Sequence, residues 1–459
     1  MAHKRSHGIR KTRVLSSKTV PPKQQNKTTK NMEKDSTKKD KPYQTVRGMH
    51  DILPKDEDYW RSIWEIGNEI SEIHDFNFIE TPILEAVGLF EEGIGEATDI
   101  VEKEMFSFKT KGREIVVLRP EGTAPIMRSY IQHHLGHFSS PLKVFYWGPM
   151  FRYERPQSGR YRQFHQWGFE VIGEADPFYD VQIMLVTLNF LKALGIKGLK
   201  IKINTVGCRV CRPTYRKRLV QYYRTQKRNI CKDCIRRYEK NPLRLLDCTV
   251  RECKEIREGA PIILDYLCQA CNSHFKEVLG LIEDNEIEYE PDPHLVRGLD
   301  YYSKTVFEVV LPKNADRALA GGGRYDYLGE VLGGRTIPAV GVSLGLERII
   351  EYIKEKEIDP KRKKKPSVFF VVVGEEAKKK GLCLINKLRL SNIKVLESVG
   401  KQSLKNQLKI ANKTKSKLSL ILGQRECFEE TVMIRNMKTG VQETVPTENI
   451  VEETKKRLR

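Results

Sequence analysis

Residues 145–173 read FYWGPMFRYERPQSGRYRQFHQWGFEVIG. Aromatic and β-branched residues crowd both ends, and a polar stretch containing Gly159 separates them. The pattern predicts a strand over residues 143–147, a loop over 154–162, and a second strand over 164–172. Arg152, Glu154, Arg155, Arg160 and Arg162 gather around the loop. Guanidinium groups this dense repel one another unless an anion or an acidic partner sits among them. Arginine is also the side chain best shaped to grip phosphate with two parallel hydrogen bonds. Tyr161, Phe164, Trp167 and Phe169 interleave with the arginines. Aromatic faces beside phosphate-gripping arginines suit a nucleotide. A salt-bridged hairpin would use the same residue types, so this stretch alone leaves both readings open.

Working outward, residues 56–73 place Tyr59, Trp60, Ile63, Trp64, Ile66, Ile70 and Ile73 at helical spacing, which predicts an amphipathic helix. Residues 78–84 alternate like a strand but contain Pro82, which argues for an edge or an interface position. Further strands are expected at 115–118, 199–205, 305–311 and 337–342, and helices at 180–194 and 344–354. Residues 208–287 change character, with many charges, eight cysteines and helical spacing, and read as an inserted helical module. The run KRKKK at 361–365, followed by Pro366, reads as an exposed linker. Beyond it SVFFVVVG, IKVLESV, LSLILG and TVMIRN alternate with helical stretches and describe a second, small α/β domain.

The chain has 459 residues, which suggests two to four domains, and its 39% hydrophobic content can fill a sizeable core. No apolar run approaches the roughly 18 residues that cross a bilayer, which excludes an integral membrane protein of the helical kind. The N-terminus is charged but has no apolar segment of the secretory type, so a cytoplasmic protein is expected. Lys and Arg number 81 against 60 Asp and Glu, a net charge of +21. Residues 1–42 alone hold 13 Lys and Arg against 3 Asp and Glu. That tail is too polar to order itself and lacks the apolar face of a membrane-lying helix, so nucleic acid is the better address. A solubilising or targeting extension would look the same.

The motif Phe151-Arg152-x-Glu154, a loop, then Arg160-x-x-x-Phe164 resembles motif 2 of the class II aminoacyl-tRNA synthetases. Phe78-Ile-Glu-Thr-Pro82-Ile-Leu-Glu85 is similar to motif 1, the dimer strand. Pro338-Ala-Val-Gly-Val-Ser-Leu-Gly345-Leu-Glu-Arg348 is similar to motif 3. Four more blocks narrow the resemblance to the histidyl-tRNA synthetases: Leu295-Val-Arg297-Gly-Leu-Asp-Tyr301-Tyr302, Ala320-Gly-Gly-Gly323-Arg-Tyr325-Asp, Arg47-Gly-Met-His-Asp51-Ile-Leu-Pro54 and Leu118-Arg-Pro-Glu121-Gly-Thr123. The series runs in order from about Thr45 to the C-terminus.

The resemblance implies an α+β fold. A basic extension over 1–42 would precede a catalytic domain over 43–354, an antiparallel sheet flanked by helices. A helical Cys-rich insertion at about 206–288 would interrupt that domain. A linker over 355–365 and an anticodon-binding-like domain over 366–459 would follow. It implies a homodimer that joins histidine to tRNA(His) through histidyl-adenylate, with ATP and Mg²⁺ as substrate. Joining two anions, a carboxylate and an α-phosphate, requires preorganised positive charge. The resemblance gives that role to the catalytic residues Arg152 and Arg297, with Arg152, Glu154, Arg160, Phe164 and Arg348 around ATP. It puts Glu121, Thr123, Arg152, Gln166, Glu170, Arg297, Tyr301 and Tyr302 around histidine, with Glu170 and Tyr302 at the ring and Gly321–Gly323 as the floor. Standing alone, the block around Arg297 would serve equally as an ion pair with Asp300, and the triple glycine as a flexible turn. A regulatory paralogue without catalysis, or a synthetase-like sensing module, would share much of the pattern. Retention of Arg297 and of a C-terminal domain argues against the paralogue.

Eight of the ten cysteines fall in the insertion as Cys208-x-x-Cys211, Cys231-x-x-Cys234, Cys248-x4-Cys253 and Cys268-x-x-Cys271. Paired CxxC spacing is the signature of structural zinc. The thiols make up two four-cysteine sites, or one site with four spare thiols; reduced buried thiols and disulfides are the alternatives, and spacing does not say which pairs combine. Cys383 and Cys427 are expected in cores. His133, His134 and His137 are read as surface or core residues rather than ligands.

Overall fold

The protein is described by a computed structural model over residues 43–95, 98–157, 159–311, 318–360, 367–398 and 403–458. The basic stretch at 1–42 and the KRKKK run lie outside these residues.

The arginine-bearing hairpin is the centre of the architecture. Leu142–Phe151 pairs antiparallel with Gln163–Ile172, Leu142 opposite Ile172 and Phe151 opposite Gln163. The sheet continues through Ala339–Gly345, Ala320–Arg324, Ser303–Val310 and Lys200–Thr205, all antiparallel. Two short strands are added at the edges, Asn77–Phe78 and Tyr289–Pro291, and both pair in parallel. The expected antiparallel sheet is therefore antiparallel through six strands and mixed at its rims.

Side chains alternate across these strands. Trp167, Phe169 and Val171, with Val340, Val342, Leu344, Phe307 and Val309, enter one apolar core. Four helices supply its other half: Glu57–Ile73, Phe178–Ala193, Gln269–Asp284 and Leu346–Glu355. Gly67 is required in the first helix because a Cβ there would run into the Trp167 indole. The opposite sheet face carries Phe164, Gln166, Glu308, Gly341 and Ser343, which line a cavity instead of a core.

The span 78–84 does not form one strand. Asn77–Phe78 ends early, and Leu84–Ala86 joins a separate three-stranded sheet with Ile115–Leu118 and Phe106–Lys109. Pro82, with no N–H to offer a ladder, sits at the break. Arg119 bridges it by donating to the Thr81 carbonyl (2.7 Å) and the Pro149 carbonyl (3.1 Å).

The Cys-rich segment folds into the helices Cys211–Gln226, Lys232–Lys240 and Arg251–Arg257 around Tyr215, Leu219, Tyr223, Leu245 and Leu246. Its last helix, Gln269–Asp284, turns its apolar face to the main core through Phe275, Val278 and Ile282. The C-terminal part has a five-stranded sheet in the order Lys394–Glu397, Ser367–Val372, Leu418–Leu422, Thr431–Asn436, Gln442–Pro446, with helix Glu375–Leu390 packed against it. Cys427 is buried there, but Cys383 is exposed. The inward face of its helix is set by Ala377, Gly381, Ile385 and Leu388, which points position 383 outward. Among the described residues, no helix is long and apolar enough to cross a membrane.

Candidate active site

Gly321, Gly341 and Ser343 leave room on the sheet face opposite the helices, and a cleft remains there between strands and loops. Its enclosed volume is about 210 Å³. Arg152, Arg297 and Arg348 reach it from three parts of the chain 145 and 51 residues apart in sequence. All the expected nucleotide and histidine contacts, Glu121, Thr123, Glu154, Arg160, Phe164, Gln166, Tyr301 and Tyr302 included, line the same space except Glu170, which lies just beneath its wall.

Each arginine is held before any ligand arrives. Arg152 donates from Nε to the Pro120 carbonyl (2.9 Å) and lies over the Phe164 ring at 5.2 Å. Arg348 donates to the Gly159 carbonyl (2.9 Å) and the Ala318 carbonyl (3.1 Å), tying motif 3 to the loop of the hairpin. Glu154 lies 3.9 Å from both Arg152 and Arg160. Arg297 pairs with Glu308, and burial, which would lower its pKa, is outweighed by that carboxylate, so the group stays firmly charged. The Asp300 pairing that the local sequence allowed does not form; Asp300 accepts instead from Asn241 at 2.7 Å.

At the other end lies a buried polar group formed by Glu121, Thr123, Gln166, Glu170 and Tyr325. Glu170 is fully buried. It accepts from the Thr123 hydroxyl (2.9 Å) on one oxygen and from the Tyr325 hydroxyl (2.5 Å) on the other. Burial raises its pKa to about 8 against those two hydrogen bonds, and the neighbouring Glu121 adds to the rise. Glu121 is raised as well, again by burial, although both its oxygens accept backbone N–H groups at 2.8 Å, from Thr123 and Ala124. It thereby satisfies the first two N–H groups of helix Thr123–Gln132, and it also accepts from the Tyr301 hydroxyl at 3.3 Å. Gln166 keeps a buried amide oxygen without a partner among the described residues, and its nitrogen lies a long 3.5 Å from the Ser343 hydroxyl. Such an orphaned acceptor in a cavity wall suits a ligand ammonium.

The triple glycine is a central strand, not a flexible turn. Every residue of Ala320–Arg324 is buried. A Cβ at Gly321 would strike the Arg297 guanidinium, and one at Gly322 the Gly341 carbonyl. Arg324, fully buried, anchors this strand to helix Phe178–Ala193 by donating to Asp180 (2.5 Å), and also donates to the nearby Asp326 (3.1 Å).

Two residues of the site escape a motif-by-motif reading. Glu308 is the counter-charge of Arg297; its signal is a lone acid inside the apolar run TVFEVV. Tyr325 fixes Glu170, and only the fold brings them together. The histidines at 133, 134 and 137 are exposed just past the end of their helix. His165 is taken up by Glu347 at 2.8 Å and by the edge of Trp60.

The family model Histidyl-tRNA synthetase matches residues 48–349, and the model Anticodon binding domain matches residues 367–457. The chain is 45% identical over 411 residues to a histidine–tRNA ligase of Natranaerobius thermophilus, covering 89% of this chain and 98% of that one. It is 41% identical over 418 residues to a histidine–tRNA ligase of Dehalococcoides mccartyi, covering 91% and 100%. The crystal structure of apo S. aureus histidyl-tRNA synthetase superposes with a TM-score of 0.75 at 33% identity, covering 90% of this chain and 99% of that chain. With matching motifs, a matching fold and relatives aligned almost end to end, the chain belongs to the histidyl-tRNA synthetase family.

Proposed function

We infer that the protein is a histidine–tRNA ligase that activates histidine with ATP and then esterifies tRNA(His). The observation that carries this reading is the convergence of Arg152, Arg297 and Arg348 on one cleft beside the buried Glu170. The histidine carboxylate oxygen attacks the α-phosphorus, and the bond to pyrophosphate breaks. The arginines offset the charge that accumulates between the two anions; the backbone carbonyls that hold Arg152 and Arg348 and the Glu308 carboxylate that holds Arg297 keep that charge in place without reorganisation. Mg²⁺ enters with the nucleotide as part of the substrate. In the second step the terminal ribose hydroxyl of tRNA attacks the acyl carbon and AMP leaves.

Arg152 spans carboxylate and α-phosphate, Phe164 stacks on adenine, Glu154 orients the base, Arg160 adds charge at the loop, and Arg348 closes the far end of ATP. Gln166, Glu121 and Thr123 surround the α-amino group. Glu170 and Tyr302 read the imidazole, with Tyr301 behind them. A pocket whose polar groups need both ring nitrogens rejects analogues that leave those groups unpaired.

A second cavity of about 680 Å³, lined by Arg212, Arg216, Lys217, Lys240 and Arg244, opens beside Arg297 and Tyr302. Its charge supports an approach of the tRNA acceptor end between insertion and sheet. The 367–457 domain serves the anticodon. Phe78, Ile83 and Leu84 of the motif 1 stretch are exposed, which supports a homodimer through that stretch. A cytoplasmic location is supported by the substrates, ATP, histidine and tRNA, and by an N-terminus without an apolar secretory segment. The insertion thiols hold structural zinc.

Histidine-dependent ATP–pyrophosphate exchange and aminoacylation of total tRNA test the reading. Binding of histidine without exchange would favour a sensing or regulatory paralogue and sink it.

A further inference from the structure

We propose that the insertion holds two separate tetrathiolate zinc centres, and that the first of them braces the wall of the histidine pocket. Folding sorts the eight thiols into Cys208, Cys211, Cys268 and Cys271 in one cluster, and Cys231, Cys234, Cys248 and Cys253 in the other. Within each, all four sulfurs lie within 4.8 Å of one another. Four sulfurs about 2.3 Å from a central zinc stand about 3.8 Å apart along the edges of a tetrahedron. The sulfurs of Cys208 and Cys211 are 3.6 Å apart, those of Cys208 and Cys268 are 3.8 Å apart, and those of Cys231 and Cys248 are 3.9 Å apart. Disulfides need sulfurs about 2.05 Å apart.

The surroundings are also those of a thiolate centre. The Val210 and Cys268 N–H groups donate to Cys208 and Cys211 at 3.3 and 3.1 Å, and the Cys231 N–H donates to Cys253 at 3.3 Å. Such bonds disperse the charge of a metal-bound thiolate, and they orient the ligands. Cys383 and Cys427 join neither cluster.

The two centres have different jobs. The second lies inside the small core of the module, beside Leu246 and Ile230. The first ties the beginning of the segment to the start of helix Gln269–Asp284, which belongs to the main core. From its loop, Gly207 accepts the Lys304 N–H at 2.9 Å, and Arg212 donates to the carbonyls of Val206 (3.1 Å) and Tyr302. Metal at the first centre thus fixes the backbone that carries Tyr302. This coupling rests on the proposed activity; the metal assignment does not.

Elemental analysis of the full chain, purified reduced and without a metal-binding tag, should find two zinc ions per chain. The double substitutions Cys208→Ser/Cys271→Ser and Cys234→Ser/Cys253→Ser should each leave one. Titrating the unaltered protein with an organomercurial should release two zinc ions as the eight ligand thiols are consumed, after the exposed Cys383 has reacted without release, a readout that needs no variant to fold. Eight freely reactive thiols with no zinc released, a single zinc, or iron in its place would overturn the assignment. The first-centre variant should raise the KM for histidine about tenfold while the second-centre variant leaves it nearly unchanged. Equal effects, or none, would overturn the coupling.

Discussion

Arg297 lies between Gly321 and Glu308, with about 20% of its side chain exposed to the cleft. Arg297→Ala should slow ATP–pyrophosphate exchange by about 10²–10³ while histidine affinity, measured by calorimetry, is largely retained. Because that change leaves Glu308 without its partner, the double variant Arg297→Ala/Glu308→Gln separates rate from stability: the rate should stay low and the melting temperature recover. Arg297→Lys should restore only part of the rate, since an ammonium lacks the planar fork. Glu170 makes a pH prediction. Its folded pKa of about 8 exceeds the ordinary carboxylate value, so the folded chain keeps a proton that the unfolded chain has released. Stability from this group is full at acid pH and is lost as pH climbs toward 8. Unfolding free energy should therefore drop between pH 6 and pH 8 by about 2 kcal/mol more in the wild type than in Glu170→Gln. Parallel curves would show that Glu170 is ionised throughout.

The strand Ala320–Arg324 separates packing from catalysis within three residues. Gly322→Ala presses a methyl onto the Gly341 carbonyl, which the sheet cannot move, and should cost about 1–3 kcal/mol in chemical denaturation. Gly321→Ala presses on the end of a flexible side chain instead; it should melt near the wild-type temperature yet lose most exchange activity through displacement of Arg297. The motif 1 region carries a second prediction at this scale. Phe78→Asp with Leu84→Asp should convert a two-chain mass in light scattering to a one-chain mass, because both side chains are exposed in the single chain. An unchanged mass would move the interface elsewhere.

Across the molecule, charge and connectivity dominate. Residues 1–42 carry 13 basic groups against 3 acidic ones, so a chain beginning at Tyr43 should bind tRNA more weakly and with a shallower dependence on salt. Identical slopes would mean that the tail does not touch RNA.

Much of this organisation was legible from local pattern. Aromatic and β-branched residues located Gln163–Ile172 and residues 143–147 of the longer strand Leu142–Phe151, and helical spacing located Glu57–Ile73, because these signals follow from local backbone geometry. Local pattern misled where a long-range contact decided. The glycine run has no apolar signal, yet it is a central strand because Gly341 and Arg297 occupy the space a side chain would need. Likewise, the pairing of Arg297 with Glu308 rather than Asp300 depends on strand Ser303–Val310 presenting its acid to the cleft.

By itself the sequence determined the order of elements, the chemistry of the arginines and the presence of eight candidate thiol ligands. Only the tertiary structure decided which groups face one another: Tyr325 with Glu170, Glu308 with Arg297, and Cys208 with Cys268 rather than with Cys231. The physical reason is that spacing along a chain constrains neighbours within a turn or a pleat. Partners 60 or 155 residues apart are chosen by which faces bury together.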